Sequence, residues 1–123
     1  MRTGIHRGDL YWVTLAAAPD LEPGPAHPHL VLQDDVFNHS RITTVVVCAL
    51  SSNLGKASEP GNVSLDAGEG NLPKPSVIVV SQIASVEKSR LGAWIGALSD
   101  ARVVQALAGL RFQQKSFFAR RRD

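Results

Sequence analysis

Thr43-Thr44-Val45-Val46-Val47-Cys48-Ala49-Leu50 is the longest uncharged apolar run in the chain, and five of its eight residues are β-branched. Eight residues fall far short of the roughly 20 needed to cross a bilayer as a helix, so the run reads as a central β-strand buried on both faces. Upstream, Leu10-Tyr11-Trp12-Val13-Thr14-Leu15 reads as a first strand, bounded by Arg7-Gly8-Asp9 and the Pro-containing stretch 16–28. Leu30-Val31-Leu32-Gln33 reads as a second, entered through Pro28, which biases His27 towards an extended conformation. Downstream, Val63-Ser64-Leu65 alternates like a short exposed strand, and Val77-Ile78-Val79-Val80 reads as another buried one. Between them two glycines and two prolines in residues 66–75 predict a loop.

Gly92-Ala93-Trp94-Ile95-Gly96 predicts a last strand. Ser99 is placed as an N-cap and Asp100 at the positive end of a helix running from Asp100 to about Phe118, with Val103, Leu107, Leu110 and Gln114 at helical spacing. Gly109 inside it costs about 1 kcal/mol against alanine, which points to close packing against the sheet. Short strands with brief connections and one terminal helix predict a mainly β fold, a small antiparallel barrel or strongly curled sheet.

The chain has 123 residues, enough for one domain and too few for a core plus a second module. The expected organisation is a single domain over 1–118 followed by a basic tail at 119–123. The net charge of +2 invites a polyanion partner, but residues 111–123 hold five basic groups against one acidic, while residues 1–110 hold eight against ten. The body is therefore not basic, and bulk charge is poor evidence for a nucleic-acid groove. A single cysteine excludes a disulfide framework or a zinc ribbon within one chain. With no signal-like or membrane-spanning run, the expected compartment is the cytoplasm.

Most catalytic patterns fail. Gly68-Glu69-Gly70 lacks the third glycine and the following helix of a nucleotide-binding loop. His27-Pro28-His29 resembles a metal pair, but the two imidazoles are expected to diverge along an extended chain, so no metal site is assigned and no cofactor is expected. Cys48 sits in the most apolar run, where it reads as a small buried hydrophobe rather than a nucleophile. What remains is polar residues at strand ends: His27 entering the second strand, and Ser51-Ser52-Asn53 where the central strand leaves towards Lys56. Such junctions expose a group while a strand holds it in place.

Several blocks then fall in order: Arg7-Gly8-Asp9-Leu10-Tyr11-Trp12, His27-Pro28-His29-Leu30-Val31-Leu32-Gln33, Thr44 to Ser52, Ser76 to Ile83 with Val86-Glu87-Lys88-Ser89-Arg90-Leu91, and Ile95-Gly96-Ala97-Leu98-Ser99 before a helix. Together they resemble the MazF/PemK family of toxin endoribonucleases, from Arg7 to about Leu110. The resemblance implies a small SH3-like barrel of about five to seven short strands with a C-terminal helix. It also implies a homodimer, metal-free and sequence-selective cleavage of single-stranded RNA, and control by a cognate antitoxin with an acidic, disordered tail. Where the family usually has arginine before the strand-two proline and threonine at the end of the central strand, this chain has His27 and Ser51; a further family arginine is replaced by Ala84.

Metal-free cleavage needs a base for the ribose 2′-OH, an acid for the 5′-O leaving group and donors for the charge growing on phosphate. His27 is expected to be the acid or base, since imidazole titrates near neutrality, with Glu87 or Asp35 as its partner. Ser51 is expected to donate to a phosphate oxygen, and Arg41, Ser52, Lys56 and Lys74 to hold the RNA backbone. Two other readings stay open on the same fold: an RNA- or antitoxin-binding protein without turnover, and a topoisomerase-directed toxin acting through Phe117, Phe118 and the basic helix end.

Overall fold

A computed structural model describes residues 4–15 and 25–121, with side chains up to residue 115. The central run forms β3 (Thr44–Ser51), third in a six-stranded antiparallel sheet of order β4-β5-β3-β2-β1-β6. The others are β1 (Asp9–Val13), β2 (His27–Val31), β4 (Val63–Leu65), β5 (Ser76–Glu87) and β6 (Trp94–Ala97), with a one-turn helix α1 (Asp35–Asn38) and a C-terminal helix α2 (Asp100–Arg121).

The sheet curls because β3 is apolar on both faces. Cys48 and Leu50 join Leu10, Leu30, Ile78 and Val80 inside the curl, where Ala106 of α2 closes the core. Val45 and Val47 face the other way, with Tyr11, Val13, Val31 and Val86. Burying each such valine contributes about 1.5–3 kcal/mol, so neither face of the strand can be left in water. The edges β4 and β6 do not pair with each other; the 3-10 turn Glu69–Asn71 sits between them, and Asn71 Nδ2 donates to Ile95 O at 3.1 Å. The result is a half-barrel of six strands, as the sequence predicts, with one capping helix.

Three elements depart from expectation. Strand β2 begins at His27, three residues earlier than its apolar run, because Pro28 and His27 pair with Trp12 and Val13 of β1. Val63 and Leu65 of β4 are buried and only Ser64 is exposed, so this edge strand turns its apolar side to the core. Strand β5 runs through Ser81-Gln82 to Glu87 rather than stopping at Val80. Its partner register moves from Cys48↔Ile83 to Leu50↔Ile78, so five residues of β5 span two of β3 and the excess forms a bulge.

Helix α2 starts as read, with Ser99 Oγ accepting from the Arg102 amide at 3.3 Å. The close approach marked by Gly109 is to the backbone of Gly61, in the loop before β4, rather than to a strand. Among the described residues no helix is long and apolar enough to cross a membrane. Phe117, Phe118 and the side chains of the basic tail lie outside the described residues.

Candidate active site

The site lies where the start of β2 meets the end of β3. Antiparallel register sets His29 opposite Ala49 and Tyr11, and His27 opposite Val13. Residues two apart on a strand share a face, so His27 and His29 point to the same side; the expected divergence of the two imidazoles is wrong. Both line a cleft of about 400 Å³ with Ser51, Ser52, Lys56 and Gln82, the last supplied by the β5 bulge. A second cleft of about 180 Å³ holds Trp12, Lys74 and Ser76. His27, Ser51 and Ser52 line both clefts and form the ridge between them.

Local chemistry fixes these groups. Ser51 Oγ accepts from the Asn53 amide at 3.0 Å, which uses a lone pair and leaves the hydroxyl proton to donate. The Asn53 side chain accepts from the Gly55 amide at 3.1 Å, capping the 3-10 turn Leu54–Ser58 that carries Lys56. Lys56 Nζ lies 3.6 Å from Glu59 Oε2, a partly exposed pair that water competes with. The two clefts contain two lysines and no described carboxylate, so the local field favours an anion although the body of the chain does not. Trp12, 41% exposed, presents an aromatic face at the wall of the smaller cleft.

His29 is the functional candidate that the sequence reading passed over. It is 2% exposed, and its Nδ1 lies 2.9 Å from His27 O. A carbonyl only accepts, so Nδ1 carries the proton and Nε2 the lone pair. Among the described residues Nε2 is a buried side-chain atom with no hydrogen-bond partner, a state that costs about 1–3 kcal/mol. Burial, opposed by the bond to His27 O and aided by the nearby His27 ring, holds its pKa below the ordinary 6.5. The signal was available in the sequence: two histidines two apart at the start of a strand.

Other expected residues fall elsewhere. Arg41 lies at the opposite end of β3, in a shallow cleft with Glu87 and Lys88. Seven residues of strand separate the two ends, about 23 Å at the usual rise. Neither proposed partner of His27 reaches it. Glu87 is opposite Thr44 at that far end, and Asp35 Oδ1 accepts from the Arg7 amide at 2.6 Å and Asn38 Nδ2 at 3.0 Å. The Arg7 amide in particular holds the Asp35 carboxyl below its usual pKa. One set of metal-ligating atoms, from His6, Asp35 and His39, lies within 4.8 Å in this far region. His39 Nε2 is 2.8 Å from Ile5 O and the His6 and His39 rings meet edge to face, so the group already pins the N-terminal segment to α1. Cys48 is fully buried, with its thiol 3.1 Å from Val79 O and its pKa pushed up to about 12 by burial.

The half-barrel is similar to an endoribonuclease solved in complex with its cognate antitoxin from a mycobacterial species (TM-score 0.71, 19% identity, covering 88% of this chain and 92% of that one). It is also similar to MazF from Deinococcus radiodurans (TM-score 0.72, 19% identity, covering 93% and 99%). The fold class is thus the curled MazF-type barrel with a terminal helix. Sequence carries the assignment further. The model of the PemK-like, MazF-like toxin of type II toxin–antitoxin systems matches residues 6–113. Over 107 residues the chain is 35% identical to endoribonuclease MazF2 of Mycobacterium bovis, covering 87% of this chain and 94% of the relative. It is 34% identical over 96 residues to endoribonuclease EndoA of Bacillus subtilis, covering 78% and 82%. The chain belongs to the PemK/MazF toxin family.

Proposed function

We propose that this chain is a toxin-type endoribonuclease that cleaves single-stranded RNA across the ridge formed by His27 and Ser51. The observation that carries the reading is the convergence, on a MazF-family barrel, of His27, Ser51, Ser52, Lys56 and Lys74 around two adjoining clefts. A scissile phosphate seated on the ridge puts one flanking nucleotide in each cleft. The Ser51 hydroxyl donates to a non-bridging oxygen, and the lysines attract the backbone on either side. The face of Trp12 stacks a base, an interaction available to single strands and not to a closed duplex.

The 2′-hydroxyl attacks phosphorus, the bond to the 5′-oxygen breaks, and the products are a 2′,3′-cyclic phosphate and a 5′-hydroxyl. An imidazole can serve the proton transfers near neutral pH where a guanidinium cannot, so histidine replaces the family arginine with a change of role rather than a loss. Each role is filled by the chain's own side chains, without a metal in the reaction. Arg41, at the far end of β3, takes no part.

The solved mycobacterial relative carries its cognate antitoxin. For this chain the corresponding partner is a peptide with an acidic, disordered tail that occupies the lysine-lined clefts and excludes RNA. A homodimer, in which exposed strand edges are covered by a second copy, and a cytoplasmic site of action complete the reading. The experiment is cleavage of a long single-stranded RNA of mixed sequence by the purified protein. His27→Ala and Ser51→Ala are each expected to abolish cleavage and the growth arrest on expression. Full activity in either variant removes that residue from the mechanism, and binding of RNA without any cleavage selects the non-catalytic reading instead.

A further inference from the structure

We propose that His29 is the general base of the reaction, taking the 2′-hydroxyl proton on Nε2, and that His27 is the acid that protonates the leaving 5′-oxygen. The inference rests on the endoribonuclease reading above and divides between two histidines the work assigned there to one. Three features of the geometry carry it. His29 and His27 stand two apart on one face of β2 and line the same cleft as Ser51. The bond from Nδ1 to His27 O fixes the tautomer, so the basic nitrogen is Nε2. That nitrogen is buried and has no protein partner among the described residues, so the lone pair lacks a donor until a ligand brings one.

A ribose hydroxyl is a donor of the right kind. On attack its proton passes to Nε2, the new bond from O2′ to phosphorus forms, the bond from phosphorus to O5′ breaks, and O5′ takes a proton from the His27 imidazolium. His29 ends protonated and His27 neutral, and exchange with water restores both. Burial favours the neutral form of His29 at the start, while His27 on the same strand face is exposed to solvent. The titratable groups facing His29 are His27 on its own strand, Tyr11 opposite it on β1 and Lys56 from the 3-10 turn; Ala49 of β3 and Gln82 of β5 do not titrate.

The test uses the full chain with His29→Asn and His29→Gln, which keep a polar side chain and cannot take up a proton near neutrality; thermal melts verify folding. Cleavage of mixed-sequence single-stranded RNA is followed from about pH 5 to 8. The parent is expected to lose rate as pH falls below about 6.5. Both variants are expected to fall by at least about 100-fold, to lose that acid limb and to keep RNA affinity within a few-fold. A variant that cleaves at near-parent rate, or keeps the acid limb, overturns the assignment while the endoribonuclease reading stands. A second readout needs no turnover: in the His27→Asn chain, the ¹⁵N resonance of His29 Nε2 is expected to move when a short random-sequence RNA pool is added and not with the matching DNA pool. If the parent cleaves no RNA and this shift is still seen, the endoribonuclease reading fails and the His29–hydroxyl contact stands; absence of both overturns both.

Discussion

Gly109→Ala is expected to destabilise this protein although alanine is the better helix former. A Cβ built at 109 collides with the Gly61 carbonyl oxygen and lies 2.9 Å from Gly61 C and 3.2 Å from Gly61 Cα. All three are backbone atoms, so no rotamer change relieves the contact, and Gly61 itself sits at φ +88°. Overpacking of this kind costs about 1–3 kcal/mol, with the upper end applying where backbone meets backbone. The helix-propensity gain of about 1 kcal/mol offsets part, leaving a net loss of about 2 kcal/mol. For a domain of this size that is a fall in Tm of about 6–10 °C. Ala108→Gly, one residue earlier on the exposed side of the helix, supplies the contrast: a loss of about 1 kcal/mol from propensity alone. The strain also reaches the site, because Asn62, next to Gly61, donates from Nδ2 to Lys56 O at 2.9 Å and accepts the Val80 amide on Oδ1 at 3.1 Å. Differential scanning calorimetry measures the first effect and RNA affinity the second. An unchanged or raised Tm for Gly109→Ala refutes the reasoning.

Four further outcomes are expected. Lys56→Ala and Lys74→Ala should each weaken RNA binding and reduce the slope of log affinity against log salt by about 0.7, one phosphate contact on a single strand; an unchanged slope removes that lysine from the interface. Burial lowers the His29 pKa from 6.5, so the unfolded chain binds more protons below that value. Stability should therefore decline as pH falls through 6.5, and denaturant midpoints of His29→Leu should lack this component. The Glu69 carboxyl is held below its usual pKa by its bond with Arg102 first and the Asp66 amide second, so its contribution is present above about pH 4 and lost on further acidification. The Arg102 guanidinium meets both Glu69 oxygens at 2.9 Å; Arg102→Ala should cost about 1 kcal/mol at neutral pH and flatten that acid dependence in urea titrations. Cys48, with its thiol near pKa 12 and no exposure, should resist a thiol reagent in the folded protein and react fully once unfolded.

The legible parts of the fold were those set by local pattern. The valine run of β3 announced a strand with two buried faces, Ser99 announced the start of α2, and Gly109 announced a close approach. The illegible parts depend on register. Strand β5 looked finished at Val80 because Ser81 and Gln82 are polar, yet both are exposed residues of the bulge that carries the strand onward, and Gln82 lines the cleft. The same distinction governed the site. His27, Ser51, Ser52 and Lys56 follow from strand ends that pairing brings together, and Lys74 enters from the loop before β5. Arg41 stands near the same strand in sequence but at its other end, and residue order alone does not say which end of β3 meets the start of β2. His29 was missed for a different reason, a misassigned strand face, and the same period of two that sets Tyr11 and Val13 opposite His29 and His27 corrects the error.

The central claim is that this family barrel cleaves RNA with ribose as the nucleophile and histidine moving the protons. Its most direct test is the chemistry of the cut ends. Fragments from the purified protein should carry a 2′,3′-cyclic phosphate on one side and a 5′-hydroxyl on the other, and an RNA with a 2′-deoxy sugar at the mapped cut site should remain intact. A 3′-hydroxyl with a 5′-phosphate, or cleavage of the 2′-deoxy substrate, would contradict the account.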